Sequence, residues 1–175
     1  LRQQLADATN RHPEQFHVNF AAIGGDFGGK GSPMDVPLCY YLALHSGRPV
    51  KMVMDYIEEF MAANPRHPSI MNVKTGVRWD GTIVAHHARA IFDSGAYGAF
   101  KPGVNLGGFS HAGGPYRTPN VHIEAIQVYT NNVPCGHMRG PGEPQAAFAL
   151  ESQVDLIARE LRMDPLEFRL KNVIW

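Results

Sequence analysis

The chain has 175 residues, 44% of them hydrophobic and 18% charged, and its 16 basic and 16 acidic residues balance to zero formal charge. That composition supports one globular domain with a real core and excludes a disordered chain. Without a basic block or stripe, nucleic acid and anionic membrane surfaces are not expected partners. No apolar run approaches the roughly 20 residues that span a bilayer, and two cysteines, Cys39 and Cys135, are too few for a disulfide scaffold and lack zinc-ligand spacing.

The first eight residues, Leu1 to Ala8, are helix-like and show no signal-peptide layout. A start without Met and a stop at Trp175, directly after Val-Ile, suggest a piece of a longer polypeptide, read as a single unit over 1–175 with no separate second domain. The cytoplasm is the expected compartment and the periplasm the alternative. Phe16, Val18, Phe20 and Ala22 alternate with His17, Asn19 and Ala21, predicting a half-buried strand over 16–23. A glycine-rich loop, Gly24 to Gly31, follows. Ser32-Pro33-Met34-Asp35 then reads as an N-cap, a first-turn Pro and an acidic third position, opening a helix that Gly47 ends. Met34, Leu38, Tyr41 and His45 form its stripe, and Val50 to Met54 reads as a strand.

Residues 69–92 predict a long hairpin. Met71, Val73, Thr75, Val77 and Trp79 alternate up to Asp80-Gly81, a two-residue turn signal, and Ile83, Ala85, His87, Arg89 and Ile91 alternate on the return. Residues 94–120 are irregular, and 121–130 read as another strand. A second special loop runs from Val133 to Glu143, and Pro144 opens a helix whose Ala147, Leu150, Val154, Ile157 and Leu161 keep helical spacing. Asp164-Pro165-Leu166-Glu167 caps a shorter final helix. The fold class is α+β, with mixed sheets and hairpins beside flanking helices.

The two loops carry the chemistry. Glycines let a ligand approach the backbone, and loop amides can bind an anion. Gly24 to Lys30 has the spacing of a phosphate-binding P-loop, but Gly31 stands where a magnesium-holding Ser or Thr belongs. In the second loop Arg139 lies among Gly136, Gly140 and Gly142. It could grip an oxyanion, a phosphate or an oxo group, or simply pair with Glu143 or Glu151.

Taken together, the loops resemble those of the molybdenum hydroxylases, the xanthine dehydrogenase and aldehyde oxidase family. Gly24-Gly25-Asp26-Phe27-Gly28-Gly29-Lys30 resembles their Gly-Gly-Gly-Phe-Gly-Gly-Lys loop. Asn131 to Gln145 resembles their Asn-x-x-Pro-x-Gly-x-x-Arg-Gly-x-Gly-x-Pro-Gln loop. Arg48-Pro49-Val50-Lys51, Arg66-His67-Pro68, Asp80-Gly81, Tyr116 to Asn120, and Asp164-Pro165 to Asn172 match further landmarks in family order.

The resemblance implies the molybdopterin-binding large subunit of an oxidoreductase that hydroxylates aldehydes or N-heterocycles with oxygen from water. The cofactor is molybdopterin with molybdenum, often as the cytosine dinucleotide, and the protein gives the metal no side-chain ligand. Electrons leave through iron–sulfur clusters and flavin (FAD) on other domains or subunits. The resemblance assigns Arg139 and Phe27 to the catalytic centre, and Gly25, Phe27, Gly28, Gly29, Arg139 and Gly140 to cofactor binding. It also puts the general base, a Glu, beyond Trp175 and a Gln-containing cofactor loop before Leu1, so the 175 residues alone are expected to be inactive and to hold no cofactor. Gly31 and Pro141 stand where purine-hydroxylating members have Glu and Phe, and Gly107-Gly108 occupy the region of an expected Arg, which argues against purines. The second loop also lacks the Cys-Ser-Phe-Arg arrangement of the carbon monoxide branch. A P-loop nucleotide-binding protein and a binding module that has lost cofactor use are the alternatives.

Nine histidines raise a metal-site reading, but adjacent His86 and His87 face opposite sides of a strand, and His111, His122 and His137 lack ligand spacing. Cys135 reads as a small buried residue, Glu58-Glu59 as a solvated face, and Met52, Met54, Met61 and Met71 as core filling.

Overall fold

A computed structural model describes residues 1–19, 21–30, 35–97 and 106–175. The chain divides into two compact units: Leu1–Pro65 with His137–Arg139, and Arg66–Gly136 with Gly140–Trp175.

The second unit is built on a mixed three-stranded sheet of order β1-β2-β3. β1 (Ser69–Val77) and β2 (Ile83–Asp93) pair antiparallel, as the alternation predicts. Their connection is longer than the two-residue turn expected at Asp80-Gly81. The Arg78 amide donates to the Thr82 carbonyl at 2.9 Å, and the Asp80 carboxylate accepts from the Thr82 amide at 3.0 Å and its hydroxyl at 2.9 Å. Just beyond, Gly76 faces Ala85 while Val77 faces Ile83, so Val84 is an extra, bulged residue. The Asn120 side chain donates to the Val84 carbonyl at 3.0 Å. A bulge flips the pleat. The buried face of β2 is therefore Ile83, then His86, Ala88, Ala90 and Phe92, not the predicted set Ile83, Ala85, His87, Arg89 and Ile91.

β3 (Asn120–Val128) pairs parallel to β2, with Ala85 opposite Asn120. Between them lies a 3-10 helix, Gly107–Gly113, in the segment read as irregular. α4 (Glu143–Glu160) buries Ala146, Leu150, Val154, Ile157 and Ala158, while Ala147 is exposed and Leu161 packs at the edge. α5 (Pro165–Asn172) is capped by Asp164 as predicted, its carboxylate accepting from Leu166 and Glu167 amides. Two apolar clusters result. One gathers Ile83, Tyr116, Leu150, Val154, Ile157 and Phe168; the other gathers Phe92, Leu106, Phe109 and four alanines. Phe92 and Phe109 meet edge-on, ring centres 5.4 Å apart. Buried Asn172 ties the corner shut: it accepts from the Ile83 amide and donates to the Gly81 and Phe168 carbonyls, all at 2.9 Å.

The first unit holds α1 (Arg2–Thr9), α2 (Val36–Ser46) and α3 (Tyr56–Ala62). Gly47 ends α2 in the left-handed conformation, φ 63°, as predicted. The start expected at Ser32-Pro33-Met34 lies outside the described residues; Asp35 is the N-cap, without a capping side-chain bond, and Pro37 opens the first turn. α2 buries none of its residues, and Leu38 and Tyr41 of the expected stripe are exposed. Neither 16–23 nor 50–54 forms a strand among the described residues, and Phe20 lies outside them. Alternation marks a chain able to bury one face, but a strand exists only when a neighbour takes its amides and carbonyls. Glu58 and Glu59 are exposed, as expected of a solvated face, and Glu58 has a further role. Asp55 and Glu58 form a capping box: the Asp55 carboxylate accepts from Glu58, and the Glu58 carboxylate accepts from the Asp55 amide, both at 2.8 Å. No helix of the described residues is long and apolar enough to cross a membrane.

Candidate functional site

The first glycine loop closes on itself through Asp26. Its carbonyl accepts from the Gly29 amide at 2.9 Å, its carboxylate accepts from the Lys30 amide, and the Lys30 ammonium donates to the Ile23 carbonyl. Asp26, which departs from the family's third glycine, is thus the residue that closes the turn. The same bonds hold Lys30 against its own loop instead of presenting it as a P-loop lysine would be, and Gly31 to Met34 lie outside the described residues.

Ahead of that closure the backbone is unusual. Phe27 has φ 51°, a left-handed conformation that costs a bulky residue energy and so marks a position fixed by its surroundings. Its ring is exposed and lies over Gly25, where a Cβ would come 2.8 Å from the ring. Gly28 follows at φ 95°, and a Cβ there would come 2.8 Å from the Cβ of His137. Only glycine allows this approach.

His137 to Arg139 belong to the second special loop, so the two motifs meet within the first unit. The Arg139 amide donates to the Phe27 carbonyl at 2.7 Å. The Asn64 carboxamide donates to the His137 carbonyl at 2.6 Å and to the Gly28 carbonyl at 3.4 Å. Asn64 was invisible to motif reading, because it follows α3 as an ordinary polar residue before Pro65. Only 5% of it is exposed, and its Oδ1 has no hydrogen-bond partner among the described residues.

The Arg139 side chain is exposed, not enclosed by glycines as the sequence suggested. Of its two expected acidic neighbours, Glu151 accepts from Tyr116 and Arg169, each at 2.8 Å, and Glu143 lies 3.6 Å from His111. Burial, then Glu151, pushes the Tyr116 hydroxyl up to about 12, so it stays a proton donor. Gly140 belongs to the second unit, where its carbonyl accepts from Arg66 at 3.3 Å. Arg66 also reaches the Gln145 carboxamide at 3.3 Å, and Gln145 donates to the His67 carbonyl at 3.1 Å. Two landmarks some 80 residues apart in the sequence thereby explain each other.

The donor set suits a polar, anionic cofactor. The amides of Gly25 and Gly28 have no backbone acceptor among the described residues, and the one acidic side chain of the loop, Asp26, is turned onto the Lys30 amide. The Gly29 amide, in contrast, is used inside the loop. No group of three or more His, Cys, Asp or Glu able to hold a metal occurs among the described residues. Cys135 is buried, and burial followed by Asp93 raises its thiol, which makes it an inert packing residue.

Comparison with known proteins gives a concordant result. The family model for the molybdopterin cofactor-binding domain matches residues 1–173. The chain is 40% identical over 172 residues to a probable xanthine dehydrogenase subunit of Bacillus subtilis (strain 168), covering 98% of this chain and 23% of that protein. It is 40% identical over 155 residues to the nicotinate dehydrogenase large molybdopterin subunit of Eubacterium barkeri, covering 87% and 36%. Among solved structures, the aldehyde oxidoreductase of Desulfovibrio gigas superposes with a TM-score of 0.88 at 34% identity, over 99% of this chain and 19% of that one. Quinoline 2-oxidoreductase of Pseudomonas putida 86 gives 0.85 at 30% identity, over 99% and 23%. The chain thus spans between about a fifth and a third of these relatives.

Proposed function

We propose, for a chain that belongs to the molybdopterin cofactor-binding domain family, that it serves in the molybdenum-cofactor subunit of an oxidoreductase that hydroxylates an aldehyde or an N-heterocycle with oxygen from water. The observation that carries this reading is the meeting of Phe27 and Gly28 with His137 to Arg139, two motif loops about 110 residues apart joined by the Arg139 to Phe27 bond and by Asn64. One family model running through both units supports taking 1–175 as part of a single cofactor-binding domain.

The residues that would hold the cofactor are Gly25, Phe27, Gly28 and Gly29 of the first loop and Arg139 and Gly140 of the second. Gly25 and Gly28 offer backbone donors, Gly29 a close approach without a side chain, and Phe27 an apolar wall. Arg139 offers a permanently charged planar fork that favours negative charge developing beside the metal. The bound molybdenum centre supplies the oxidation–reduction chemistry; the protein supplies position and electrostatics. The cytosine dinucleotide form is part of the proposal, as are iron–sulfur and flavin partners, for which the relatives named as subunits give general support. Relatives named for xanthine, nicotinate and quinoline support an N-heterocycle as the substrate class, and within that class Gly31 and Pro141 argue against a purine. Two free cysteines suit the reducing cytoplasm.

The test is elemental and nucleotide analysis of the full-length protein with its partners. About one molybdenum per chain with releasable cytosine nucleotide is expected, together with dye reduction by an aldehyde or an N-heterocycle. The 175 residues alone are expected to bring down no molybdenum and to show no hydroxylation. A full-length protein free of molybdenum and inert to both substrate classes would overturn the assignment.

A further inference from the structure

We propose that Asn64 is a positioning residue that sets the peptide planes on which the cofactor rests. The proposal depends on the cofactor-binding reading above, and it concerns a residue outside both glycine motifs.

Three carbonyls in the meeting zone are tied down. Asn64 holds those of Gly28 and His137, and the Arg139 amide holds that of Phe27. No peptide bond among the described residues is cis, and in a trans peptide the carbonyl of one residue and the amide of the next point opposite ways. Fixing the Phe27 carbonyl therefore turns the Gly28 N–H away from Arg139. Fixing the His137 carbonyl turns the Met138 N–H away from Asn64. Two of the three clamped peptides thus turn a donor, the Gly28 and the Met138 N–H, away from the group that holds their carbonyl. The third spends its Gly29 N–H on the Asp26 carbonyl. The donors so oriented are what an anionic group needs.

Asn64 is suited to this and to little else. Its carboxamide uses both N–H bonds on carbonyls from two loops that are 36 and 73 residues away in sequence. A Phe in the left-handed region relaxes toward negative φ unless held. Asn64 acts on the next peptide, Gly28 to Gly29, so removing it frees the strained turn as well as the bridge. The buried Oδ1, unmatched among the described residues, fits a residue kept for something other than stability, because an unmatched buried acceptor is destabilising.

The experiment uses the full-length holoenzyme with Asn64→Leu, which keeps the volume and loses both donors, and Asn64→Asp, which sets an oxygen against each carbonyl. Amide hydrogen exchange needs no cofactor. Loss of the clamp is expected to speed exchange of the Arg139 amide about 10-fold, while the β1–β2 ladder amides stay as they are. The second readout is the electron paramagnetic resonance spectrum of the dithionite-reduced molybdenum centre, expected to change in line shape in both variants, more in Asp than in Leu, with metal still bound. Wild-type exchange at Arg139 in both variants overturns the clamp whether or not metal is present. Faster exchange with an unchanged spectrum overturns the positioning role. A wild-type protein without molybdenum refutes the cofactor assignment, and the positioning role falls with it. If the Leu variant does not fold, the Asp variant decides by the same two measurements.

Discussion

Every residue of the two apolar clusters lies in the second unit, whereas the described residues of the first unit bury only Leu5, Ala6, Thr9 and Asn64. The second unit is held by its own core: a mixed three-stranded sheet, a long helix packed with it, and Asn172 closing the corner. The first unit is held by caps and hydrogen bonds. α3 stands on its Asp55–Glu58 box, and the glycine loop stands on Asp26, Asn64 and the Arg139 amide. Under the proposed function the difference separates two tasks: a core fixes side chains and hides backbone, while a cofactor site must present backbone donors, which a packed core cannot do.

The largest expected effect tests the contrast directly. Phe168 is fully buried and Phe60 is 62% exposed against Tyr56. Phe168→Ala should cost about 3–5 kcal/mol in urea unfolding, and Phe60→Ala should stay within about 0.5 kcal/mol. Equal losses would mean that the first unit has a core of its own. Next comes the site itself. In the full-length enzyme Arg139→Lys should lower turnover about 10²–10³-fold with the cofactor still bound, because a point charge cannot replace the planar fork. A near-normal turnover number would mean that Arg139 is structural and has no part in the chemistry.

Periodicity identified the second unit well. β1, β2, β3, α4 and α5 all fall where alternation, helical spacing and Asp164 put them. What it missed there was Val84: one bulged residue inverted the reading of β2, and nothing local marks it, since its fixing partner Asn120 lies 36 residues away. In the first unit the alternation at 16–23 and the apolar run at 50–54 were real patterns without a ladder partner among the described residues. The motif glycines were legible because a special backbone demands glycine. Asn64 and Asp26 were not, because their work is done by ordinary side chains on distant or adjacent backbone, which spacing does not encode.

A smaller effect belongs to the second unit. Burial lowers the pKa of His86 below its ordinary value, aided by His87 and opposed by the Ala112 carbonyl. Folding therefore favours neutral His86. Its stabilising share is complete above the unfolded pKa of about 6.5 and is lost as pH falls from there toward the lower folded value. The urea midpoint should thus drop between pH 7.5 and 5.5, and less so in His86→Gln. An unchanged pH response in that variant would place the titration elsewhere. The smallest effect expected is none. Calorimetry with ATP and magnesium at millimolar ligand should show no binding, because the Lys30 ammonium donates to the Ile23 carbonyl and Gly31 lacks a hydroxyl. A micromolar dissociation constant would revive a nucleotide reading of the loop.

The parallel placement of β3 has a kinetic consequence. β1 and β2 are joined by a short connection and can zip locally, but Asn120 reaches Ala85 only after the whole stretch from 94 to 119 has been laid down. Contacts of such separation come late, since the closure entropy must be met first. During that interval the edge of β2 that β3 will pair with stands open, its backbone amides and carbonyls a template for another chain. Pulse-labelled exchange during refolding should therefore show the β1–β2 amides protected before those of β3, and crowded refolding should lose material in that window.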